Sequence, residues 1–329
     1  MRRAILLGVL GTLLLTWFGL TTEAQELTFL GGATRSLQTH DSTYAWMLEY
    51  DQGFGEHHAL SFAYINEGHL PYHHRDGNAA QLWARKNLFG RRLSLAVGLG
   101  GYYYYDTVGR PGGESYINHH GWGGIGSLSA TWYLKNRLTL QARANWIGTF
   151  SSYNTVSAVV GIGYQLSAPD RLGPQPRPPH QKEWTNRDEV VISGGDTVVN
   201  SLHSELSEAF SIEYRHGIGR YWDASVAWLN EGDSEVVRRN GLVAQFWSVR
   251  SFFADHLALG VGGGTYFAVD TRRKPKPGES GQGSLDGIVS FRIAARWGGR
   301  WEAPLTWNRI VTGYNRDTDI FMLGLGYRF

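Results

Sequence analysis

Apolar and polar residues alternate at the end of the chain. In LGLGYRF (323–329), Leu323, Leu325, Tyr327 and Phe329 share one face at a period of two, while glycines and an arginine share the other. Successive side chains of a strand point to opposite faces of a sheet, so this pattern predicts a β-strand. Chain ends are usually disordered unless a sheet holds them, so we expect this strand to lie between two neighbours.

The same alternation recurs through two copies of one unit. The segment AYINEGHLPYHHRDGNAAQLW (63–83) aligns without gaps on AWLNEGDSEVVRRNGLVAQFW (227–247), and GIGYQL (161–166) matches GLGYRF (324–329). Self-similarity over so long a period indicates a duplicated structural unit. Each copy is predicted to contain eight strands, which in the first copy lie near 26–35, 43–52, 58–66, 78–88, 92–105, 121–133, 137–147 and 155–166.

The two faces of the predicted strands differ in polarity. One face is apolar, as at Leu60 and Leu95, and the opposite face is polar or small. On the polar face, Glu49, Arg85 and Arg143 are expected to form a buried charge network. An apolar outside around a polar inside reverses a soluble barrel and is typical of a closed barrel in a membrane, where closure satisfies every backbone group.

Composition agrees with a membrane barrel. The chain has 13 Trp, 17 Tyr, 14 Phe and 43 Gly. Residues 1–24 combine a basic start, an apolar stretch and the sequence Thr22-Glu23-Ala24, which predicts a cleaved signal peptide, the alternative being an uncleaved anchor. No later stretch has the roughly 18 apolar residues of a transmembrane helix. The absence of cysteine excludes thiol chemistry, and a net charge of +2 gives no reason to expect a nucleic-acid partner.

With these features the mature chain resembles bacterial outer-membrane β-barrel proteins of the small eight-stranded class, in tandem duplication. The resemblance is carried by the C-terminal strand, with Leu325, Tyr327 and the final Phe329. In that class this strand is read by the outer-membrane assembly machinery, so these residues are the expected assembly signal. The resemblance also implies contact with outer-membrane lipids and lipopolysaccharide, and location in the cell outer membrane.

Two all-β architectures fit the repeat. One has two eight-stranded barrels, from residues 25–166 and 189–329, joined by a Pro-rich periplasmic linker (167–188) that reads as extended. The other is a single sixteen-stranded barrel. Eight strands leave room only for side chains, whereas sixteen enclose a water channel. Glycines beside bulky Trp83 and Trp247 on the inner face suit a filled interior, so we favour two antiparallel transmembrane barrels.

Several polar residues recur in both copies. Glu67 and Arg75 correspond to Glu231 and Arg239 and fall in predicted long polar connections at 67–77 and 232–241, with further such connections at 106–120 and 271–286. A guanidinium at the mouth of the barrel can contact a lipopolysaccharide phosphate bidentately. It can also form an ion pair that braces the hairpin, which we favour because such pairs often pin loops without chemistry.

The first of these connections is also rich in histidine. His69, His73 and His74, with Asp76, are a candidate site for a divalent metal, because imidazole suits zinc, copper or nickel. The alternative, which we favour, is a solvated loop that happens to be rich in histidine, since the spacing follows no recognised closed zinc pattern.

Nothing in the sequence indicates a catalytic residue or a cofactor. Eight-stranded lipid A deacylases carry a His-x-Ser pair on the seventh strand, but this chain has Asn145-Trp146-Ile147 and Trp307-Asn308-Arg309 there. We therefore predict a non-enzymatic outer-membrane protein with a structural or surface-interaction role. The alternative is a sixteen-stranded, porin-like channel for small solutes, and a lipid A-modifying enzyme ranks third.

Overall fold

A computed structural model describes residues 25–109, 115–166, 169, 171–175, 187–219, 221–271 and 285–329. They form sixteen antiparallel strands in two compact units that divide near residue 180. The predicted signal peptide, 1–24, lies outside the described residues. Within them, no helix is long and apolar enough to cross a membrane.

The first unit is a closed barrel of eight strands in sequence order. Each strand pairs with the next, and β1 pairs with β8 from Glu26 opposite Gln165 to Ser36 opposite Thr155. The strands are β1 (Gln25–Ser36), β2 (Ser42–Phe54), β3 (His58–Leu70), β4 (His73–Leu88), β5 (Leu93–Gly109), β6 (Tyr116–Tyr133), β7 (Leu138–Thr149) and β8 (Thr155–Gln165).

The second unit closes in the same way. Its last strand pairs with its own first strand, from Thr318 opposite Val199 to Arg328 opposite Glu189. The strands are β9 (Glu189–Val199), β10 (Leu206–Ile218), β11 (Trp222–Asp233), β12 (Arg238–Phe252), β13 (Leu257–Thr271), β14 (Leu285–Trp297), β15 (Trp301–Val311) and β16 (Thr318–Arg328).

Two closed barrels confirm the favoured architecture, and the single sixteen-stranded ring is wrong. The pairing of the strand edges explains why two barrels form. In each copy the last strand finds its partner within that copy, which leaves no edge strand free to extend into a larger ring.

The faces of the strands follow the predicted alternation. On β5, Leu95, Val97 and Leu99 point outward and are 42%, 52% and 67% exposed. Inward residues such as Glu49 and Gln81 are buried. The wall therefore presents an apolar outer surface around a polar lumen, which is the reverse of a water-soluble barrel.

Several predicted connections are shorter in the structure. Residues 67–77 are not a loop, because β3 continues to Leu70, β4 begins at His73, and only Pro71 and Tyr72 turn the chain. The connection predicted at 232–241 narrows to 234–237. The prediction was wrong because polar residues were taken as the mark of a loop, whereas strands that line a polar lumen also carry polar residues. Parts of the connections predicted at 106–120 and 271–286, namely 110–114 and 272–284, lie outside the described residues.

Part of the predicted linker packs against the first barrel. Arg91 Nε donates to the Leu172 carbonyl at 3.0 Å, and Gln165 Nε2 donates to the Gly173 carbonyl at 3.2 Å. Gly173 and Gln175 are buried. The backbone bends at residues 171–174, so the extended conformation predicted for the linker is wrong there, and donors of the barrel hold this segment in place.

Candidate functional site

Each barrel has a terminal end, which carries its first and last residues, and a far end opposite. Near the far end of the first barrel a β-bulge interrupts the pairing of β3 and β4. Asn66 lies opposite Asp76 and His69 opposite His74, so Glu67 and Gly68 together face Arg75. Gly68 has a φ of +66°, in the left-handed region that favours glycine. The Gly68 N–H donates to Asn66 Oδ1 at 3.0 Å. The bulge directs Glu67 into the lumen.

Glu67 and Arg75 form a two-point ion pair inside the barrel. Arg75 Nε and Nη2 donate to the two Glu67 oxygens at 2.6 and 2.9 Å. The carboxylate also accepts from Tyr102 Oη at 2.9 Å and from the Thr155 hydroxyl. Both residues of the pair are at most 1% exposed. A buried pair of this kind is held in place by the hydrogen bonds that saturate its oxygens.

The same guanidinium holds a connection at the far end. Arg75 Nη1 donates to Ser152 Oγ at 3.2 Å and to the Tyr153 carbonyl, both in the connection between β7 and β8. Its charged plane lies 3.8 Å from the centre of the Tyr153 ring, a cation–π contact. Burial raises the pKa of the Tyr153 phenol well above its usual value, so it stays neutral. The connection therefore folds over the Glu67–Arg75 pair.

The second barrel repeats this arrangement. Arg239 Nε and Nη2 donate to Glu231 at 2.8 and 2.7 Å, and Thr318 Oγ1 donates to the same carboxylate at 2.6 Å. Gly232, with φ of +77°, occupies the equivalent bulge. Arg239 Nη1 also donates to Tyr314 Oη at 2.9 Å, and burial raises the pKa of that phenol to about 12. The recurring Asn-Glu-Gly sequence and its arginine thus build one structural device twice.

The four residues lie on strands inside the lumen and not in the connections predicted for them. Arg75 and Arg239 are 0% and 3% exposed, and their guanidinium groups are engaged by carboxylate and by groups of the far-end connection. A guanidinium must be accessible to bind a phosphate from outside. The geometry therefore contradicts a lipopolysaccharide contact through these residues and agrees with a brace, but one inside the lumen instead of across a surface loop.

A second layer fills the lumen below the ion pair. Trp83 Nε1 donates to Ser61 Oγ at 2.8 Å, and its ring lies over Gly98, where an added Cβ would approach within 2.7 Å of the indole. Arg143 stacks on the indole at 4.4 Å and donates to Glu49 at 2.8 Å. Of the predicted network, Arg143 and Glu49 thus meet. Arg85 does not join them and donates to the His58 carbonyl at 3.0 Å.

The second barrel has the same layer with a different arginine. Trp247 Nε1 donates to Ser225 Oγ at 2.9 Å, and its ring covers Gly262. The guanidinium on this indole belongs to Arg215 of β10, at 4.3 Å. Arg215 pairs with Glu189 at 3.0 Å and with Asp223 at 3.0 Å. Tryptophan, arginine and carboxylate therefore fill the cross-section in both barrels.

The four predicted metal ligands are not brought together. His69 and His74 stack with ring centres 4.1 Å apart, and Tyr44 Oη lies 3.0 Å from His69 Nδ1. His73 instead faces Asp106, and Asp76 accepts from Tyr64 Oη at 2.8 Å. Across the described parts of the chain, no group of three or more His, Asp or Glu side chains is placed to hold a metal ion.

Sequence reasoning missed a polar cluster at the far end of the first barrel. His73 Nδ1 lies 3.0 Å from Asp106 Oδ2, and Ser152 Oγ donates to the same oxygen at 2.9 Å. In a hydrolytic triad the serine hydroxyl donates to the histidine, which in turn donates to the aspartate. Here the aspartate lies between the other two, so the histidine is not positioned to take the serine proton. The cluster joins the adjacent strands β4 and β5 to the connection between β7 and β8, which is distant in sequence, and the sequence carried no signal for it.

The predicted assembly residues lie on the outward face of β16 and at its end. Leu325, Tyr327 and Phe329 are 53%, 37% and 61% exposed. Leu166, the residue of the first copy that matches Phe329, is only 4% exposed. The two copies therefore differ in what their last strands present outside the wall.

Comparison with known proteins gives structural likeness alone. No family model and no curated protein matches the chain. The N-terminal β-barrel domain of Pseudomonas aeruginosa OprF is similar at 12% identity and a TM-score of 0.36, over 44% of this chain and 98% of that one. Neisserial surface protein A (NspA) is similar at 11% identity and a TM-score of 0.35, over 43% of this chain and 96% of that one. The evidence for two closed barrels is the strand pairing within this chain and not these likenesses.

Proposed function

We propose that the chain is an integral outer-membrane protein whose two filled barrels have a structural or surface-interaction role. The support for a membrane location is the outer surface of each barrel. Large apolar side chains such as Leu99, Ile162, Leu305 and Leu323 are 54–67% exposed on the outward faces. In water such a surface is costly, whereas in hydrocarbon it is favourable.

The support for a structural or surface-interaction role is that side chains fill both lumens. The Glu67–Arg75 pair and the Trp83 layer cross the first lumen, and the Glu231–Arg239 pair and the Trp247 layer cross the second. Eight strands leave an interior just wide enough for side chains. Barrels so filled serve as anchors and display their far-end connections, and they offer solutes no water-filled path.

The proposal places the far ends outside the cell and the terminal ends in the periplasm. In barrels of this kind the short turns are periplasmic. Contacts with lipid and lipopolysaccharide then fall to the outer wall and far-end connections, and Leu325, Tyr327 and Phe329 form the signal for the assembly machinery. No catalytic role is proposed. In the cluster of His73, Asp106 and Ser152, the serine donates to the aspartate and not to the histidine, so no base is placed to activate it as a nucleophile.

Conductance across a planar bilayer tests the filled lumens. The purified full chain is expected to give no steady openings, while a sixteen-stranded porin prepared in the same detergent serves as the positive control. Steady, large openings by the chain would contradict the proposal.

Orientation is tested by single cysteines, which the cysteine-free chain allows without background. Thr39 lies in the exposed far-end connection between β1 and β2, and one variant is Thr39→Cys. Lys135 lies in the exposed terminal-end turn between β6 and β7, and the other variant is Lys135→Cys. A membrane-impermeant maleimide applied to intact cells is expected to label the first and spare the second. Labelling of only the second would show that the orientation is reversed.

A further inference from the structure

We propose that the first barrel binds one small monovalent cation, of the sodium or ammonium class, in a cavity in the terminal half of its lumen. The cavity has a volume of about 20 Å³ and is lined by Glu26, Asp51, Ser94, Gln141 and other polar side chains. This volume accommodates about one water-sized group. The proposal is independent of the structural role proposed above.

The second barrel shows which group occupies the equivalent position there. Ser127 and Ser290 are equivalent, since each accepts from a glutamine on one side and donates to an asparagine on the other. Two residues further along the same strands, Ser129 of the first barrel corresponds to Arg292 of the second. Arg292 Nη2 lies 2.9 Å from Glu189 and Nη1 lies 3.3 Å from Glu213. Arg292 Nη2 also donates to Glu302, so a guanidinium is surrounded by three carboxylates where the first barrel has a serine.

The first barrel also has an acid, Asp51, at the position where the second barrel has Arg215. Glu189 lies directly opposite Arg215 in the β9–β10 pairing and forms an ion pair with it at 3.0 Å. In the first barrel the equivalent residues are Glu26 and Asp51, which lie directly opposite each other in the β1–β2 pairing. Two inward carboxylates on adjacent strands repel each other unless a cation or a proton lies between them.

The charges around the cavity do not balance. Two carboxylates, Glu26 and Asp51, line the cavity together with the guanidinium groups of Arg85 and Arg143, and a third carboxylate, Glu49, lies beside Arg143. Arg143 is paired with Glu49, and Arg85 donates to a backbone carbonyl. One negative charge is left inside a low-dielectric wall, where an uncompensated charge is costly. One monovalent cation restores neutrality, whereas a divalent cation reverses the imbalance.

Oxygen atoms that lack a partner face the cavity. Ser94 is 2% exposed, and its hydroxyl has no hydrogen-bond partner among the described residues. Gln141 Oε1 is likewise unpartnered, while its Nε2 donates to Thr131 Oγ1 at 3.0 Å. Carboxylate, hydroxyl and amide oxygens suit hard cations. The Nε atoms of Arg85 and Arg143 are also unpartnered there, and a water or an anion at these donors is the competing occupant.

Thermal unfolding of the full chain in detergent tests the proposal. Unfolding is followed at constant ionic strength in chloride salts of sodium, of ammonium and of the bulky cation N-methylglucamine. The midpoint is expected to rise by about 3 °C or more in the small cations and to saturate with their concentration, as binding to the folded state alone requires. Equal midpoints in all three salts would overturn the proposal and favour a proton, a water or an anion in the cavity.

Variants assign the effect to this cavity. Ser129→Arg supplies the guanidinium that Arg292 supplies in the second barrel, so we expect its midpoint to be independent of the cation. Ser129→Ala keeps the cavity and its charge, and we expect the dependence to persist. If Ser129→Arg does not fold, Asp51→Asn, which removes the surplus charge without added bulk, is expected to lose the dependence. Full cation dependence in Asp51→Asn would also overturn the proposal.

Discussion

Arg75 and Glu67 lie on adjacent strands of the first barrel and form a buried two-point ion pair, and Arg239 and Glu231 repeat it in the second barrel. In both barrels a threonine of the last strand, Thr155 or Thr318, donates to the same carboxylate. The pair therefore ties β3 and β4, or β11 and β12, to the strand that closes the barrel.

Removing one partner of this pair is expected to destabilise the barrel more than removing both. Arg75→Met leaves the Glu67 charge buried and unpaired, which costs about 3–5 kcal/mol, whereas replacing both residues by Met costs less. Urea unfolding of the single and double variants in detergent measures the difference, with Arg239→Met as the matched variant in the second barrel. Single and double variants of equal stability would contradict a buried, mutually compensating pair.

Gly68 is expected to tolerate no side chain. Its φ is positive, and an added Cβ would lie 2.4 Å from the Tyr44 carbonyl oxygen. Gly68→Ala is therefore expected to lower the free energy of unfolding by about 2 kcal/mol or more. Gly31→Ala is the matched control, because no atom lies within 4 Å of its added Cβ, and we expect a change within about 0.5 kcal/mol. A mild effect at Gly68 would show that the bulge geometry is not required.

Asp255 gives the second barrel a specific pH dependence. It lies in the turn between β12 and β13 and receives hydrogen bonds from Arg296 at 2.7 Å and Arg328 at 2.9 Å. Burial alone raises the pKa of its carboxyl, but the two arginines outweigh burial and hold the pKa below its usual 3.8. A lowered folded-state pKa contributes stability above the unfolded pKa, and this contribution is lost as the pH falls through the folded value.

The stability difference between the native chain and Asp255→Asn is therefore expected to stay constant from about pH 7 to pH 5 and to shrink below about pH 4. Urea unfolding at a series of pH values measures it. A difference that shrinks as the pH rises would have the wrong sign for this ion pair.

Phe329 is expected to be needed for assembly, in line with the proposed signal. Phe329→Ser removes the exposed aromatic end of β16 and is expected to lower the amount of folded protein recovered from outer membranes. Phe150→Ser is the control, since Phe150 is 87% exposed in a far-end connection. Normal recovery of Phe329→Ser, or equal loss in both variants, would contradict a specific role of the last residue.

The sequence was sufficient for the faces of the strands, because a period of two fixes which side chains share a face, but it only favoured two barrels over one ring of sixteen strands, and the pairing of the first and last strand of each copy decided between them. Thus Glu49 was placed inside and Leu95 outside, as the structure shows. Residues 67–77 were misread because their polarity matches both a loop and the lining of a polar lumen. A loop and a lumen-lining strand can be told apart only by the pairing with neighbouring strands, which a local sequence pattern does not contain.

Contacts between distant strands were harder to predict for the same reason. Arg143 and Glu49 were expected to meet, and they do so from β7 and β2, but Arg85 faces a backbone carbonyl instead. The position of Asp106 between His73 and Ser152 depends on two strands, β4 and β5, and on the connection between β7 and β8. No local pattern in the sequence records such an arrangement.

Cleavage between the two copies tests most directly whether each is a barrel by itself. A protease site is introduced within residues 176–186 of the full chain, and the folded protein is cut in detergent. Two fragments that each keep heat-modifiable mobility on a gel are the predicted result, because each copy closes through its own first and last strands. Loss of folded mobility in both fragments would contradict two self-contained barrels.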